Sequence, residues 1–141
     1  MTISHVVCAT PGYLEQHGTP QTPQDLRDHS CISLGETPAD ARWKFRRGGK
    51  TETIQTHGRY AANHTAVRLD AVKQHLGIGS LPLFTAREAL ARGEIVQVLP
   101  EWEFISHYSG QLWLLWSGNK HMPARMRAMI NYLTEKMPVN K

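Results

Sequence analysis

Cysteine is scarce in this chain of 141 residues: two occur, Cys8 and Cys31, each inside a short apolar stretch. Neither has a Cys-x-x-Cys partner. The pair reads as two buried free thiols, in keeping with a reducing cytoplasm, rather than as a disulfide framework. Long apolar runs are also missing. None approaches the roughly 18 residues that cross a bilayer, and the opening Met1–Cys8 lacks a basic region followed by a long apolar stretch, so it does not read as a secretory signal. Eight histidines stand at positions 5, 17, 29, 57, 64, 75, 107 and 121, and no two have the short His-x-x-x-His spacing of a metal site. There is no Gly-x-Ser-x-Gly elbow and no P-loop. Gly77-Ile78-Gly79 lacks the third glycine of a dinucleotide fingerprint. The expectation is a protein that is not an enzyme and holds neither metal nor cofactor.

What is present is ordinary for a globular domain: 40% hydrophobic and 20% charged residues, enough to build a core and too apolar for disorder. The net charge of +4 permits attraction to nucleic acid, but much of the excess sits between Arg42 and Lys50. There Trp43 and Phe45 alternate with Arg42, Lys44 and Arg46. Arg47-Gly48-Gly49-Lys50 is a turn signal, and Thr51 to Thr56 is a β-branched return strand. This predicts a β-hairpin with its aromatics facing a core and its cations facing water. A nucleic-acid surface is the rival reading of the same residues.

Elsewhere short apolar runs alternate with helical periodicity. Val6–Ala9, Cys31–Leu34, Ile78–Leu81, Glu94–Leu99 and Leu112–Trp116 read as strands, with Gly58–Ala62 as a further one after a bend. Helices are expected from Pro11 to Gly18, briefly from Pro23, from Asn63 to Gly77, from Pro82 to Gly93 and from Pro123 onward. Leu112–Trp116 and the Met126, Met129, Ile130, Leu133, Met137 face of the last helix read as core. The alternation argues α/β with a mixed, largely parallel sheet flanked by helices.

Taken in order, these stretches resemble the effector-binding domain of LysR-type transcription regulators, which has the two-lobed fold of type 2 periplasmic binding proteins. The match rests on Cys8-Ala9-Thr10-Pro11-Gly12-Tyr13-Leu14 with His17-Gly18-Thr19-Pro20 and Pro23-Gln24-Asp25-Leu26. It rests also on the hairpin Trp43–Lys50, on Asn63 with Gly77-Ile78-Gly79-Ser80-Leu81-Pro82, and on Gly93–Trp102 followed by Leu112–Trp116 and the Pro123 helix. The chain differs at His64-Thr65, where many members carry Asp-Gly. The resemblance implies that residues 1–108 form lobe two and that residues 109–141 supply the returning strand and C-terminal helix of lobe one. It also implies that the N-terminal winged helix-turn-helix and the first half of lobe one precede Met1 in a complete member.

The function so implied is effector sensing: a polar or anionic small molecule bound between lobes, in a cytoplasmic homo-oligomer that meets DNA only through the missing N-terminal domain and does not meet membranes. Two alternatives are a transporter's solute-binding protein, which would need export, and a truncated chain acting only in protein association. The candidate effector contacts are Asn63, His64 and Thr65 at a helix start, Thr10 and Pro11 after the first strand, and Ser80, Leu81 and Pro82 at a third strand-to-helix junction. Plain helix capping is the competing role for Asn63 or Thr65, and a simple turn is the competing role for Thr10 and Pro11. An unpaired Leu112–Trp116 edge would also drive the isolated chain to associate, exchange elements or leave its tail loosely packed.

Overall fold

The computed structural model describes residues 2–118 and 121–137. The chain opens with two strands, β1 (Thr2–Ile3) and β2 (His5–Ala9). Thr10 then ends the strand and caps α1 (Pro11–His17): its Oγ1 accepts the Tyr13 N–H at 3.1 Å, and Pro11 fills the first helical position. Gly18 closes that helix at φ 88°, a conformation that favours glycine.

Two 3-10 turns follow, Pro23–Asp28 and Pro38–Ala41, on either side of β3 (Cys31–Ile32). They share one design, a threonine before proline and an aspartate three residues on. Asp25 Oδ2 accepts the Thr22 N–H, and Asp40 Oδ2 accepts the Thr37 N–H. The hairpin is β4 (Arg42–Arg47) with β5 (Lys50–Gln55), in antiparallel register from Arg42↔Gln55 to Arg47↔Lys50. After it come α2 (Thr65–Lys73), β6 (Ile78–Pro82), α3 (Leu83–Ala91), β7 (Val96–Gln97), β8 (Glu103–Ile105), β9 (Gly110–Gln111) and α4 (Ala124–Lys136).

The central sheet has the order β3-β6-β2-β7, the hairpin sheet the order β5-β4-β8, and β1 pairs with β9. Side chains alternate across the central sheet, so β2 feeds two cores. Val6 and Cys8 pack with Val72, Leu81, Ala86 and Ile95 beneath α2 and α3. Val7 and Ala9 pack on the other side with Tyr13, Leu26, Trp43, Phe45 and Trp102. Gly79 in β6 is required by the close approach of α2, since a Cβ there would lie 2.5 Å from Val72 Cγ2. Among the described residues no helix is long and apolar enough to cross a membrane.

The α/β class and the order of elements agree with expectation, and four details are corrected. Within the central sheet only β3–β6 is parallel, whereas β2 runs antiparallel to both β6 and β7, so the sheet is mixed rather than largely parallel. Gly58–Ala62 forms no strand and makes a single parallel bridge, Ser33↔Ala61. The chain is diverted there because the Cys31 N–H donates to His57 O and Gly58 lies so close to the Cys31 backbone that a Cβ would clash. The run Glu94–Leu99 forms a strand only at Val96–Gln97: the Glu94 and Ile95 N–H groups turn back to Ala89 O at the end of α3, and past the strand the Val98 N–H still donates to Val7 O at 2.7 Å.

The fourth correction concerns Leu112–Trp116. It is neither strand nor core: pairing ends at Gln111, and Trp113 and Leu115 are 70% and 85% exposed. No described strand lies beside this segment, so its apolar side chains have no layer to enter. The last helix, α4, forms as expected but buries none of its side chains.

Three outcomes follow from these contacts. Cys8 and Cys31 are buried and unpaired, and burial pushes both thiols up to about 12. The folded chain should therefore leave a thiol reagent unconsumed at pH 8 and consume two equivalents once urea unfolds it.

His29 is buried with its Nδ1 hydrogen-bonded to Tyr13 Oη at 3.0 Å, and burial, reinforced by His17, holds its pKa below the usual imidazole value. A histidine depressed in the folded state adds stability that is complete above its unfolded value of about 6.5 and is lost as pH falls through that value toward the folded one. The urea midpoint should drop from pH 7.5 to pH 5, and His29→Gln should shrink that drop.

The exposed Leu112–Trp116 strip should drive this polypeptide into concentration-dependent association by light scattering, reduced by Trp113→Glu with Leu115→Glu. A strictly monomeric wild-type chain at high concentration would count against that reading of the strip.

Candidate effector cleft

A cavity of about 750 Å³ lies where the start of α2 and the end of β6 face the hairpin sheet and the segment following β8. Its position follows from strand direction. Because β2 and β6 are antiparallel, with His5 opposite Pro82 and Cys8 opposite Gly79, the C-terminal end of β6 meets the N-terminal end of β2. Ser80 and Pro82 therefore share one sheet edge with His5 and Ile3, and all four line the cavity.

That geometry divides the residues singled out from sequence. Asn63, Thr65, Ser80 and Pro82 line the cavity. Thr10 and Pro11 do not, because they follow the C-terminal end of β2, at the opposite edge from Pro82. Thr10 is 3% exposed and is occupied by the α1 cap and a hydrogen bond to His75 Nδ1. Leu81 points to the other face of β6, into the core beneath α2 and α3, as strand alternation requires. His64 is exposed outside the lining and is the residue preceding α2, with no side-chain capping bond. Asn63 does not cap that helix either; its Nδ2 donates to Glu36 Oε1 at 3.4 Å.

Of the cavity residues not named as contacts from sequence, His5 and Arg68 matter most. His5 shares a 2.9 Å hydrogen bond between its Nδ1 and Ser109 Oγ, which ties β2 to the chain entering β9. Burial, with the added charge of Arg68, holds its pKa below the usual imidazole value. Arg68, one turn into α2, is 4% exposed. Its Nε donates to Ser80 O at 3.2 Å and its Nη1 to Ala62 O at 2.9 Å, so it clips the loop before α2 to the end of β6. Burial draws its pKa down, against the pull of Asp40 and Glu36. The available signal was spacing: Arg68 stands four residues before Val72, on the helix face that packs inward.

The hairpin contributes the facing wall. Trp43 and Phe45 are buried and the cations alternate outward, as the sequence predicts. Arg42 and Lys44 reach the cavity lining. Arg46 is instead paired with Glu103 at 2.7 Å, and Arg47 lies over the Trp102 ring, which leaves few free cations for a nucleic-acid surface. Among the described residues no group of three His, Cys, Asp or Glu is placed to hold a metal ion.

Comparison with known proteins gives the same architecture a lineage. The family model for the LysR substrate binding domain matches residues 1–138. The chain is 84% identical over 138 residues to the probable HTH-type transcriptional regulator LtrA of Klebsiella pneumoniae, a match covering 98% of this chain and 45% of that protein. It is 34% identical over 134 residues to the HTH-type transcriptional regulator PtxR of Pseudomonas aeruginosa, covering 94% of this chain and 41% of the relative.

Among solved structures, the full-length Vibrio cholerae virulence activator AphB, a member of the LTTR protein family, superposes with a TM-score of 0.82 at 26% identity, covering 96% of this chain and 45% of that one. The regulatory domain of CrgA from Neisseria meningitidis shares the fold, with a TM-score of 0.82 at 22% identity over 98% of this chain and 66% of that one. The chain thus spans less than half the length of the two curated relatives named. With the family model matched from residue 1 to residue 138 and a close relative at 84% identity, the chain belongs to the LysR substrate-binding-domain family.

Proposed function

We propose that this chain is the effector-sensing part of a LysR-type transcription regulator, that it binds a polar or anionic small molecule in the cavity between α2, β6 and the hairpin, and that it does so without catalysis. One observation carries the reading. The cavity lies against the pairing of β1 with β9, the two stretches that cross between residues 2–3 and 110–111. Ile3 of that pair is itself in the lining.

On this reading residues 1–108 act as one lobe and residues 109–141 belong with the other. A ligand held beside the crossing strands biases how the lobes stand to one another, which is a shift of population rather than new chemistry. DNA recognition then resides in parts of the regulator outside these 141 residues, as the helix-turn-helix names of the relatives suggest. A cytoplasmic homo-oligomer fits the two buried free thiols and the family. A transporter's solute-binding protein is disfavoured because the relatives are transcription regulators.

A thermal-shift screen of this chain against small metabolites tests the proposal. At a hundredfold excess over Kd a true effector stabilises by about 2.7 kcal/mol, a rise of several degrees in Tm. Thr65→Trp, which projects a large side chain into the cavity from the first turn of α2, should abolish that rise while the unliganded Tm stays close to wild type. If every polar and anionic metabolite leaves Tm unchanged, the sensing role is wrong.

A further inference from the structure

A guanidinium is always charged at neutral pH, and taking an ion out of water costs several kcal/mol unless a counter-charge meets it. Arg68 is such an ion: 4% exposed, in the wall of the cavity, with two of its nitrogens spent on the neutral carbonyls of Ser80 and Ala62. Among the described residues no hydrogen bond engages its Nη2, and no carboxylate oxygen lies within 4 Å of it.

The two carboxylates of the cavity wall keep their charge and pull on Arg68 from a distance, but neither reaches it to form an ion pair. Asp40 Oδ2 accepts the N–H groups of Glu36 and Thr37 at 2.9 and 2.8 Å, and Glu36 Oε1 accepts from Asn63. The carbonyl clip holds the guanidinium in one orientation without neutralising it. The start of α2 adds unsatisfied N–H groups and the positive end of the helix dipole on the same side, with Thr65 of its first turn in the lining. The lining also carries apolar side chains, Ile3, Phe84, Phe104 and Ile105.

We infer that the cleft takes an organic carboxylate, whose acid group pairs with Arg68 beside the start of α2 and whose apolar body lies against Phe84 and Phe104. This rests on the effector-cleft reading above and adds to it the ligand class and the anchoring residue. The clip fixes Arg68 before the ligand arrives, so the ion pair forms with little further ordering of the side chain. A neutral isostere of the same shape would leave Arg68 without a contacting counter-charge and should bind less well.

The test uses the 141-residue chain and matched probes: benzoate with benzamide, phenylacetate with phenylacetamide, and hexanoate with hexanamide. Binding is followed by NMR, through the backbone amides of Thr65, Ser80 and Phe84 and the Nε–H signal of Arg68. At least one acid should bind about tenfold or more tightly than its amide and move the Arg68 Nε signal. Arg68→Gln should erase the preference for the acid, while Arg68→Lys, which keeps the charge, retains part of it.

A variant lacking its clip to Ser80 and Ala62 can lose its fold, so the wild-type measurements decide alone if Arg68→Gln does not fold. Amides that bind as tightly as acids, or an Arg68 signal that stays still while the other cavity signals move, overturn the anchoring role and leave the cleft reading standing. No response of any cavity signal to any probe overturns the carboxylate proposal, and the metabolite screen then judges the cleft reading separately.

Discussion

The antiparallel ladder between β2 and β6 is the constraint on which the rest of the molecule depends. It joins the two central strands, with His5 opposite Pro82 and Cys8 opposite Gly79, and so sends alternate side chains into two separate cores. The same register brings His5, Ser80 and Pro82 to one edge and leaves Thr10 at the other. A parallel pairing of these strands would have gathered Thr10 and Pro11 with Ser80 and Pro82. Strand direction, more than side-chain chemistry, therefore decides which strand-to-helix junctions border the cavity.

The two edges have been put to different uses. At the Thr10 edge polar groups satisfy one another: Thr10 binds the Tyr13 amide and His75, and Tyr13 Oη binds His29. This is a closed network, and closed networks hold a fold rather than recruit a ligand. At the Pro82 edge the accounts do not close in the same way. Asp40 and Glu36 are committed to backbone and Asn63, while Arg68 remains without a carboxylate within ion-pair distance among the described residues. The contrast between a satisfied edge and an unsatisfied one separates the candidate site from the scaffold without reference to any relative.

Much of this was legible in the sequence, and the boundary of legibility has physical causes. The hairpin was readable because Trp43 and Phe45 alternate with cations around a Gly48-Gly49 turn, a pattern that depends on neighbouring residues alone. The helices after Thr10 and after Asn63 were readable from Pro11, Gly18 and the spacing of apolar residues. The direction of β2 relative to β6 was not, because the two strands are separated by some 70 residues and either direction buries the same side chains. Arg68 escaped notice because a lone arginine in a helical stretch ordinarily reads as solvated. Its buried role appears only when the carbonyls of Ala62 and Ser80 are brought to it. Leu112–Trp116 was read as core from composition, yet hydrophobicity sets a preference for burial and cannot supply the surface that does the burying.

The ladder that borders the cavity through Ile3 is a short one. The β1–β9 ladder consists of two residue pairs, Thr2↔Gln111 and Ile3↔Gly110, against the four pairs of β2–β6. Gly110 adopts φ 137°, and the hydrogen bond between His5 Nδ1 and Ser109 Oγ is a side-chain tie joining this crossing to the central sheet. A short ladder opens or pivots at lower free energy than a long one, since fewer bonds are lost together. His5 lies in the lining and also holds Ser109, and it shares the field of Arg68. On the proposed reading, a ligand seated beside Arg68 lies against this crossing, where two ladder pairs resist a pivot.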